Sequence, residues 1–251
     1  PLARSVRDAA LLLQTIAGPD RRDSTCARRA LPDLVASCEG GVAGLRVGLP
    51  GAYLDPDQGV DPEVAGAVRA AVEVLEQLGA QIRAVELPHT RYGVAAYYLL
   101  ANAEASANLA RFDGVRYGAR EPAAELSAMY GRTRARHLGA EVKRRILLGT
   151  FALSAGYQEA LYARARRARQ QMRAELARAF ERCDVIAGPT SPVVAFRRGE
   201  RVHDPLQMYR ADVLTLPASL AGLPGISLPC GLAGPGLPVG LQLLGRPWDE
   251  P

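Results

Sequence analysis

The sequence predicts an α/β protein in which a mixed β-sheet is flanked by helices and carries a helical insertion over about residues 92–182. Three observations favour this fold class. Short apolar runs at residues 45–49, 82–87 and 184–187 have the length and punctuation of strands, and helical patterns separate them. Hydrophobic residues make up 48% and charged residues 23% of the 251-residue chain, which is ordinary globular composition. No linker rich in Ser, Gly or Pro divides the chain, so we predict one domain over residues 1–251.

The first predicted element is a helix over residues 6–16. Ser5 followed by Asp8 resembles a capping box, although Asp is shorter than the usual Glu. Apolar residues then recur at helical spacing until Gly18-Pro19, a pair that ends helices.

A strand, a helix and a second strand follow. Leu45–Leu49 is the first strand, and Ile82–Leu87 is the second. The helix between them begins at Asp61-Pro62, with Asp as the N-cap and Pro at the first helical position, and Gly79 provides its C-cap. Its predicted apolar face is Val64, Val68, Val72, Leu75 and Leu78. These lengths are typical of a βαβ unit.

The remainder of the chain is predicted to be helical first and then to return to strands. Within the helical insertion, an apolar face recurs every three or four residues at Leu161, Ala165, Ala168, Met172, Leu176 and Phe180. A buried strand at Asp184–Ala187 precedes the turn sequence GPTSP. Asp212–Ala221 is a predicted helix that Pro217 interrupts early, and Ile226–Pro229 and Val239–Leu244 are the last two strands.

The charge of the chain is concentrated in one region. The net charge is +5 and the pI about 9.2, and all the basic residues except Lys143 are arginines. Residues 132–182 hold 13 basic and four acidic residues, whereas the rest of the chain is slightly acidic. Such a block is a solvated helical surface or a phosphate-binding surface, and composition does not decide between them. A lone lysine argues against a mechanism that needs a catalytic lysine elsewhere in this chain.

Several classes of site are absent from the sequence. Cys26, Cys38, Cys183 and Cys230 are scattered without a CxxC pair, which favours free thiols in a reducing cytoplasm. The three histidines lie far apart, and no zinc site or Cys–His nucleophile pair is indicated. Phosphate loops, dinucleotide fingerprints and HExxH or GxSxG motifs do not occur, and no apolar run of about 18 residues predicts a membrane span.

Polar residues cluster in three otherwise apolar stretches. In the first, Tyr97, Glu104, Asn108 and Arg111 have spacings that place them near one face of a helix, beside Tyr98. That face is either a polar network inside a core or the wall of a ligand site.

The second and third clusters contain candidate charge partners. Arg144 and Arg145 point about 100° apart on a helix, so one can face solvent while the other turns inward. A buried arginine needs a carboxylate, which belongs either to the protein or to a ligand. Asp212 precedes an apolar stretch and is therefore either a helix cap or a partner for a ligand ammonium group.

Nearly the whole chain resembles the amidase signature family. Two segments, NLARFDGVRYG at 108–118 and EVKRRILLGTFALS at 141–154, resemble its tRNA-linked branch, the A subunits of aspartyl/glutamyl-tRNA amidotransferases, more than general amidases. The other matching segments occur in the family's order: GPD-RRDST at 18–25, YYLLANAEASA at 97–107, SAGY at 154–157, DVIAGPTSPVVAF at 184–196, DPLQMYRADVLTLPASLAGLPGISLPCG at 204–231 and GLPVGLQLLGRP at 236–247.

The resemblance implies a fold and places the catalytic residues of the family outside this chain. The family fold is a large mixed sheet between layers of helices, and its chemistry uses a Ser–Ser–Lys arrangement. The similarity covers the C-terminal half of that fold, and the two serines and the lysine lie upstream of the segment that resembles Pro1 onward. Lys143 does not occupy the catalytic lysine position. The expectation is therefore a C-terminal fragment of a single amidase domain, catalytically inert alone and cut from a longer chain.

The resemblance also implies substrate contacts. In the family, glutamine is held through its α-carboxylate at the position of Arg145, through its α-ammonium at Asp212, and by one tyrosine of the Tyr97-Tyr98 pair, which we assign to Tyr97. The implied activity is glutamine hydrolysis that supplies ammonia for converting Glu-tRNA(Gln) or Asp-tRNA(Asn) to Gln-tRNA(Gln) or Asn-tRNA(Asn). No metal or cofactor is expected in this chain.

The implied partners are the B and C subunits of a cytoplasmic heterotrimer. The B subunit would use ATP and Mg²⁺ and hold the mischarged tRNA. Two alternatives stay open: a general amidase of the same family, which would not need the Arg145 and Asp212 pair, and a basic helical RNA-binding module over residues 132–182. That stretch has few aromatics and no recognised RNA-binding motif.

Overall fold

The computed structural model describes residues 1–251, apart from the side chain of Pro205. The chain divides into two compact units. The first, which we call the sheet unit, comprises Pro1–Glu86, Arg178–Ala195 and Gly222–Pro251. The second, the helical unit, comprises Leu87–Ala177 and Phe196–Ala221. That the two units belong to one domain with a helical insertion stays a prediction.

The sheet unit contains a five-stranded mixed sheet, as the sequence predicts. Its strands lie in the order β2-β1-β3-β5-β4. β1 pairs in parallel with both β2 and β3, whereas β5 is antiparallel to β3 and β4. The strands are β1 (Arg46–Pro50), β2 (Gln81–Val85), β3 (Val185–Pro189), β4 (Gly225–Ala233) and β5 (Leu237–Leu244).

The βαβ unit forms as predicted around α3 (Pro62–Gln77). The Asp61 carboxylate accepts a hydrogen bond from the Glu63 N–H at 2.8 Å, which satisfies a free donor at the helix start. Val64, Val68 and Val72 are buried in the core under the sheet. Leu78, predicted to extend this face, is instead exposed, because it lies beyond the last helical residue, where the chain turns at Gly79 with φ +96°.

The first predicted helix also forms, as α1 (Val6–Ile16). The Ser5 hydroxyl accepts from the Asp8 N–H at 3.1 Å, so the predicted cap is present. None of its residues is buried, and its apolar side chains Val6, Leu11, Leu12 and Ile16 are exposed. The short helix α2 (Leu34–Ser37) packs against it.

A cluster of two arginines around Asp184 joins three segments of the sheet unit. Arg46 at the start of β1 donates to Asp184 through its backbone N–H at 3.0 Å, its Nε at 3.1 Å and one terminal nitrogen at 2.6 Å. Arg246, which follows β5, donates to the Phe180 and Cys183 carbonyls at 2.7 and 2.8 Å and lies 3.4 Å from the Asp184 carboxylate. These hydrogen bonds hold the Arg46 guanidinium against Asp184 and, against a smaller effect of burial, lower the pKa of Asp184 strongly.

The helical unit is built around α4 (Gly93–Leu109), which packs against α6 (Ala140–Leu153). The remaining helices are α5 (Leu126–His137), α7 (Ala163–Arg182), which continues into the sheet unit, α8 (Pro205–Arg210) and α9 (Leu216–Ala221). The helical pattern predicted over about 92–182 is interrupted at residues 110–125, and a single π-helical turn, Gln158–Tyr162, precedes α7.

Most of the apolar face predicted for α7 is buried, but Leu161 and Ala168 are only partly buried, and Leu161 precedes the helix. The start predicted for α9 is wrong. Ala165 and Met172 pack with Ala96 and Leu100 of α4. The helix predicted over 212–221 begins only at Leu216, because Pro217 lacks an N–H and is tolerated only in a first helical turn.

Candidate functional site

The close approach of α4 and α6 sets the geometry of the candidate site. A Cβ atom at Gly149 of α6 would overlap the Asn102 carbonyl of α4, so glycine is required for this approach. The Ser106 and Thr150 hydroxyls, further along the same two helices, are 2.9 Å apart. Tyr98 lies one turn before Asn102 on α4 and Arg145 one turn before Gly149 on α6, so this register brings Tyr98 and Arg145 together.

Three tyrosine rings and one guanidinium group form an aromatic cluster. The rings of Tyr98 and Tyr209 lie 3.9 Å apart between centroids, with an interplanar angle of 33°. Tyr97 meets Tyr98 edge to face at 5.2 Å. The guanidinium carbon of Arg145 lies 5.7 Å from the centroid of Tyr98, within the range of a cation–π contact.

Glu141 bonds three side chains of this region. Its Oε1 accepts from the Nε of Arg145 at 3.0 Å and from the Tyr209 hydroxyl at 3.4 Å. Its Oε2 accepts from a terminal nitrogen of Arg144 at 3.0 Å. The side chain of Arg145 is 33% exposed and that of Arg144 51%, so Arg145 is the more inward of the pair. Glu141 therefore supplies the carboxylate that the sequence analysis expects beside the partly buried Arg145.

The surroundings shift two pKa values at this site. Burial, and then the neighbouring Tyr209, raise the pKa of Tyr98 to about 12, although the positive charge of Arg145 opposes the shift. Burial acts to lower the pKa of Arg145, but interactions with Glu141 and with the Tyr97 hydroxyl outweigh it and raise the pKa overall. Tyr98 therefore stays neutral and Arg145 stays charged throughout the physiological range.

Asp212 lies in the turn before α9 and its side chain is exposed. Its backbone carbonyl accepts from the N–H groups of Thr215 and Leu216, both at 3.1 Å. Within the described residues its carboxylate makes no hydrogen bond to a helical N–H, so the helix-cap interpretation of this side chain is wrong. Its negative charge contributes to the raised pKa of Tyr98.

The residues predicted for substrate binding all lie in the helical unit. Tyr97 and Arg145 both contact Tyr98, and the charge of Asp212 acts on the same tyrosine. Their roles toward a ligand stay predictions.

The predicted polar face that included Arg111 does not form. α4 ends at Leu109, since the Asp113 carboxylate accepts from the Val115 N–H at 2.9 Å and Gly114 turns the chain with φ +78°. Glu104 and Asn108 are exposed on α4, and Arg111 lies beyond the end of this helix. This stretch supplies the candidate site only through Tyr97 and Tyr98.

The sequence places Glu141 in the second polar cluster with Arg144 and Arg145 without indicating its role, and it gives no indication of Tyr209. Glu141 is four residues before Arg145 and three before Arg144, a spacing that predicts helical ion pairs with both. Tyr209 had no such indication, because its contact with Tyr98 joins residues far apart in the sequence.

The described residues contain no group of three or more His, Cys, Asp or Glu side chains that could hold a metal ion. No described helix is long and apolar enough to cross a membrane. All four cysteines are free, as predicted, and Cys183 is buried whereas Cys38 is exposed. The arginines of α7 outside its buried face are exposed, with Arg169 donating to the Leu220 carbonyl at 2.8 Å. Whether this surface binds RNA stays open.

Comparison with known proteins identifies what the chain is similar to. The sequence profile of the Amidase family matches residues 1–251. The A subunit of a glutamyl-tRNA(Gln) amidotransferase from Myxococcus xanthus is 55% identical over 251 residues, which are 100% of this chain and 51% of that protein. The chain therefore spans about half the length of the curated relatives it matches.

Two solved structures resemble this fold. The crystal structure of the A subunit of the glutamyl-tRNA(Gln) amidotransferase from Thermotoga maritima matches with a TM-score of 0.75 and 38% identity, covering 99% of this chain and 48% of that one. The peptide amidase from Stenotrophomonas maltophilia matches with a TM-score of 0.67 and 28% identity, again covering 99% of this chain and 49% of that one. The mixed sheet flanked by helices is the fold of these enzymes.

Proposed function

The chain belongs to the amidase family, and from that premise we propose that it supplies the glutamine-binding part of the A subunit of a glutamyl-tRNA(Gln) amidotransferase. One observation supports this most strongly. Arg145 and Asp212, of opposite charge, lie in one compact unit, and both act on the same tyrosine, Tyr98. A free amino acid carries one carboxylate and one ammonium group, so a site with one cation and one anion distinguishes it from a simple amide.

The two charges would bind opposite ends of the amino acid. Arg145 would hold the α-carboxylate through parallel N–H···O bonds, and the exposed, unbonded carboxylate of Asp212 would accept from the α-ammonium. Each such charge-assisted contact is worth about 1.5–3 kcal/mol. Tyr97 would contact the substrate beside Arg145, while the neutral ring of Tyr98 would form an apolar wall.

The reaction we propose is acyl transfer from the side-chain amide of glutamine. A serine attacks the amide carbon, donors stabilise the oxyanion, ammonia leaves, and water then releases glutamate. We place the serines and the lysine of this chemistry in the part of the longer relatives that this chain does not match. The residues of this chain would bind and orient the substrate and perform no proton transfer.

The proposed complex would also contain the B and C subunits. Ammonia would pass to the B subunit, which would use ATP and Mg²⁺ to activate the glutamate of Glu-tRNA(Gln) or the aspartate of Asp-tRNA(Asn). The similarity to the A subunits from Myxococcus xanthus and Thermotoga maritima supports this assignment. No cofactor is assigned to this chain.

A general amidase remains the second candidate, because a peptide amidase shares the fold at 28% identity. Such an enzyme would act on amides without a free α-carboxylate and α-ammonium. The two functions therefore differ in whether substrate affinity depends on Arg145 and Asp212.

Glutamine binding to the full-length protein, measured by calorimetry, tests the proposal. We expect Arg145→Ala and Asp212→Asn each to weaken binding by about 10-fold or more, since each removes a charge-assisted contact. The melting temperature of Asp212→Asn should stay near that of the unmodified protein, because the carboxylate holds no helix end. Unchanged glutamine affinity in both variants would contradict the assignment and favour the general amidase.

A further inference from the structure

Glu141 accepts hydrogen bonds from Arg144, Arg145 and Tyr209, and its role follows from these contacts. We propose that Glu141 is a positioning residue that holds Arg145 in the orientation needed to bind the carboxylate of an amino acid. This inference rests on the proposed function and adds a determinant of substrate selectivity to it. It draws on the hydrogen bonds of Glu141, its charge and its exposure.

Glu141 holds the guanidinium group of Arg145 through its Nε atom. Its Oε1 accepts from the Nε of Arg145 at 3.0 Å, and among the described residues Glu141 is the only carboxylate bonded to this arginine. A guanidinium group is a rigid planar fork, so fixing Nε fixes the direction of the two terminal nitrogens. Those nitrogens form the edge that binds a carboxylate through two parallel hydrogen bonds.

Glu141 is itself held in place by two further donors. Its other oxygen accepts from Arg144 at 3.0 Å, so both oxygens are engaged at once. The Tyr209 hydroxyl is a third donor, 3.4 Å from the oxygen that Arg145 uses. Tyr209 also stacks on Tyr98 at 3.9 Å, so the same carboxylate contacts both the arginine and the ring that covers Tyr98.

The charges around Glu141 leave one positive charge without a partner. Glu141, Arg144 and Arg145 together carry one net positive charge, which matches the single negative charge of a carboxylate. Their side chains are 45%, 51% and 33% exposed, and ion pairs this exposed contribute little to stability. The consequence of losing Glu141 should therefore appear in substrate selectivity and hardly in folding.

The test compares two amides that differ only in the group Arg145 is proposed to bind. Full-length protein in its complex is assayed for ammonia release from glutamine and from 4-aminobutanamide, which is glutamine without its α-carboxylate. We expect Glu141→Ala to lower the ratio of the two kcat/KM values by about 10-fold through the KM for glutamine. The kcat/KM of the Glu141→Ala variant for 4-aminobutanamide should stay unchanged. Glu104→Ala is the matched control, since it removes an exposed carboxylate of the same unit that lies outside the candidate site, and it should leave the ratio unchanged.

Conservative variants keep the test decisive if the alanine variant fails to fold. Glu141→Gln retains an oxygen that can accept from Nε and should keep most of the selectivity, whereas Glu141→Asp is too short to reach Arg145 and should lose it. Equal losses for both amides, or no loss for Glu141→Asp, would overturn the positioning role. Arg145→Ala separates this from failure of the proposed function: if that variant also keeps the ratio, Arg145 does not bind the carboxylate at all.

Discussion

The two units each contain one carboxylate shared by two arginines, yet the arginines are used differently. In the sheet unit, Asp184 is bonded by Arg46 and Arg246. Both arginines also donate to backbone carbonyls: Arg46 to Glu181 at 3.4 Å, and Arg246 to Phe180 at 2.7 Å. These bonds join β1, the end of α7 and the segment after β5, so the cluster holds the fold together.

In the helical unit, Glu141 is bonded by Arg144 and Arg145 of its own helix. Among the described residues, neither arginine donates to a backbone carbonyl. A helical pair of this kind joins no separate segments, and half-exposed pairs contribute about 0–1 kcal/mol to stability. The comparison teaches that an arginine bonded to main-chain carbonyls of other segments is structural, whereas an arginine such as Arg145, which bonds only side chains, is available to a ligand.

The largest expected effect disrupts the helical unit itself. Gly149→Ala places a Cβ where the Asn102 carbonyl lies, so α4 and α6 must separate. We expect the free energy of unfolding to fall by about 3 kcal/mol, measured by urea denaturation of the full-length protein. Gly131→Ala on α5 is the control: nothing lies within 4 Å of its added Cβ, and it should stabilise by about 0.5–1 kcal/mol. Equal effects of the two substitutions would show that the close helix contact is not required.

Replacing the shared carboxylate of each cluster by alanine should have different effects on stability. Asp184→Ala should lower the free energy of unfolding by about 1 kcal/mol, because it removes the acceptor that Arg46 and Arg246 share between separate segments. Glu141→Ala should cost about 0.5 kcal/mol or less. Denaturation curves of both variants check the contrast, and a larger loss for Glu141 would reverse the roles we assign.

The pH dependence of stability sharpens the same contrast. The depressed pKa of Asp184 comes chiefly from its hydrogen bond with Arg46. Its stabilising contribution is therefore present above the pKa of an unfolded aspartate, and is lost as pH falls from about 5 toward the lower folded value. The melting temperatures of the unmodified protein and of Asp184→Asn should differ by about 2–4 °C at pH 6, and this difference should begin to narrow below about pH 5 and keep narrowing as pH falls. A difference in melting temperature that does not change with pH would mean that the charge of the Asp184 carboxylate does not stabilise the fold.

The smallest predicted effect concerns Tyr98. Because burial raises its pKa to about 12, it stays protonated in the folded protein at a pH where an unfolded tyrosine ionises. The contribution of Tyr98 to the stability of the folded protein is complete below pH 10 and is lost as pH rises toward 12. Tyr98→Phe should therefore flatten the decline of stability between about pH 10 and 11 relative to the unmodified protein. An unchanged slope would indicate that Tyr98 titrates normally.

Local patterns predicted most elements of the fold. The cap at Asp61, the buried valines of α3 and the pairing of β1 with β2 all depend on residues near one another in the sequence. Errors arose where one residue ends or delays a helix, as at Gly114 after α4 and Pro217 at the start of α9.

The candidate site was predicted less completely, because its members meet through tertiary packing. Arg145 and Asp212 came from a family resemblance, and the ion pair of Arg145 with Glu141 could have been found from its helical spacing. The stacking of Tyr209 on Tyr98 joins residues of α8 and α4, and no periodicity within either helix indicates it.

The central claim is that Arg145 binds substrate and does not support the fold. Its most direct test is tRNA amidation by the reconstituted full-length complex carrying Arg145→Ala, driven either by glutamine or by free ammonia. We predict that the glutamine-driven rate is lost while the ammonia-driven rate is kept, because only the first requires glutamine to be bound. Loss of both rates would contradict the claim and make Arg145 a structural arginine like Arg246.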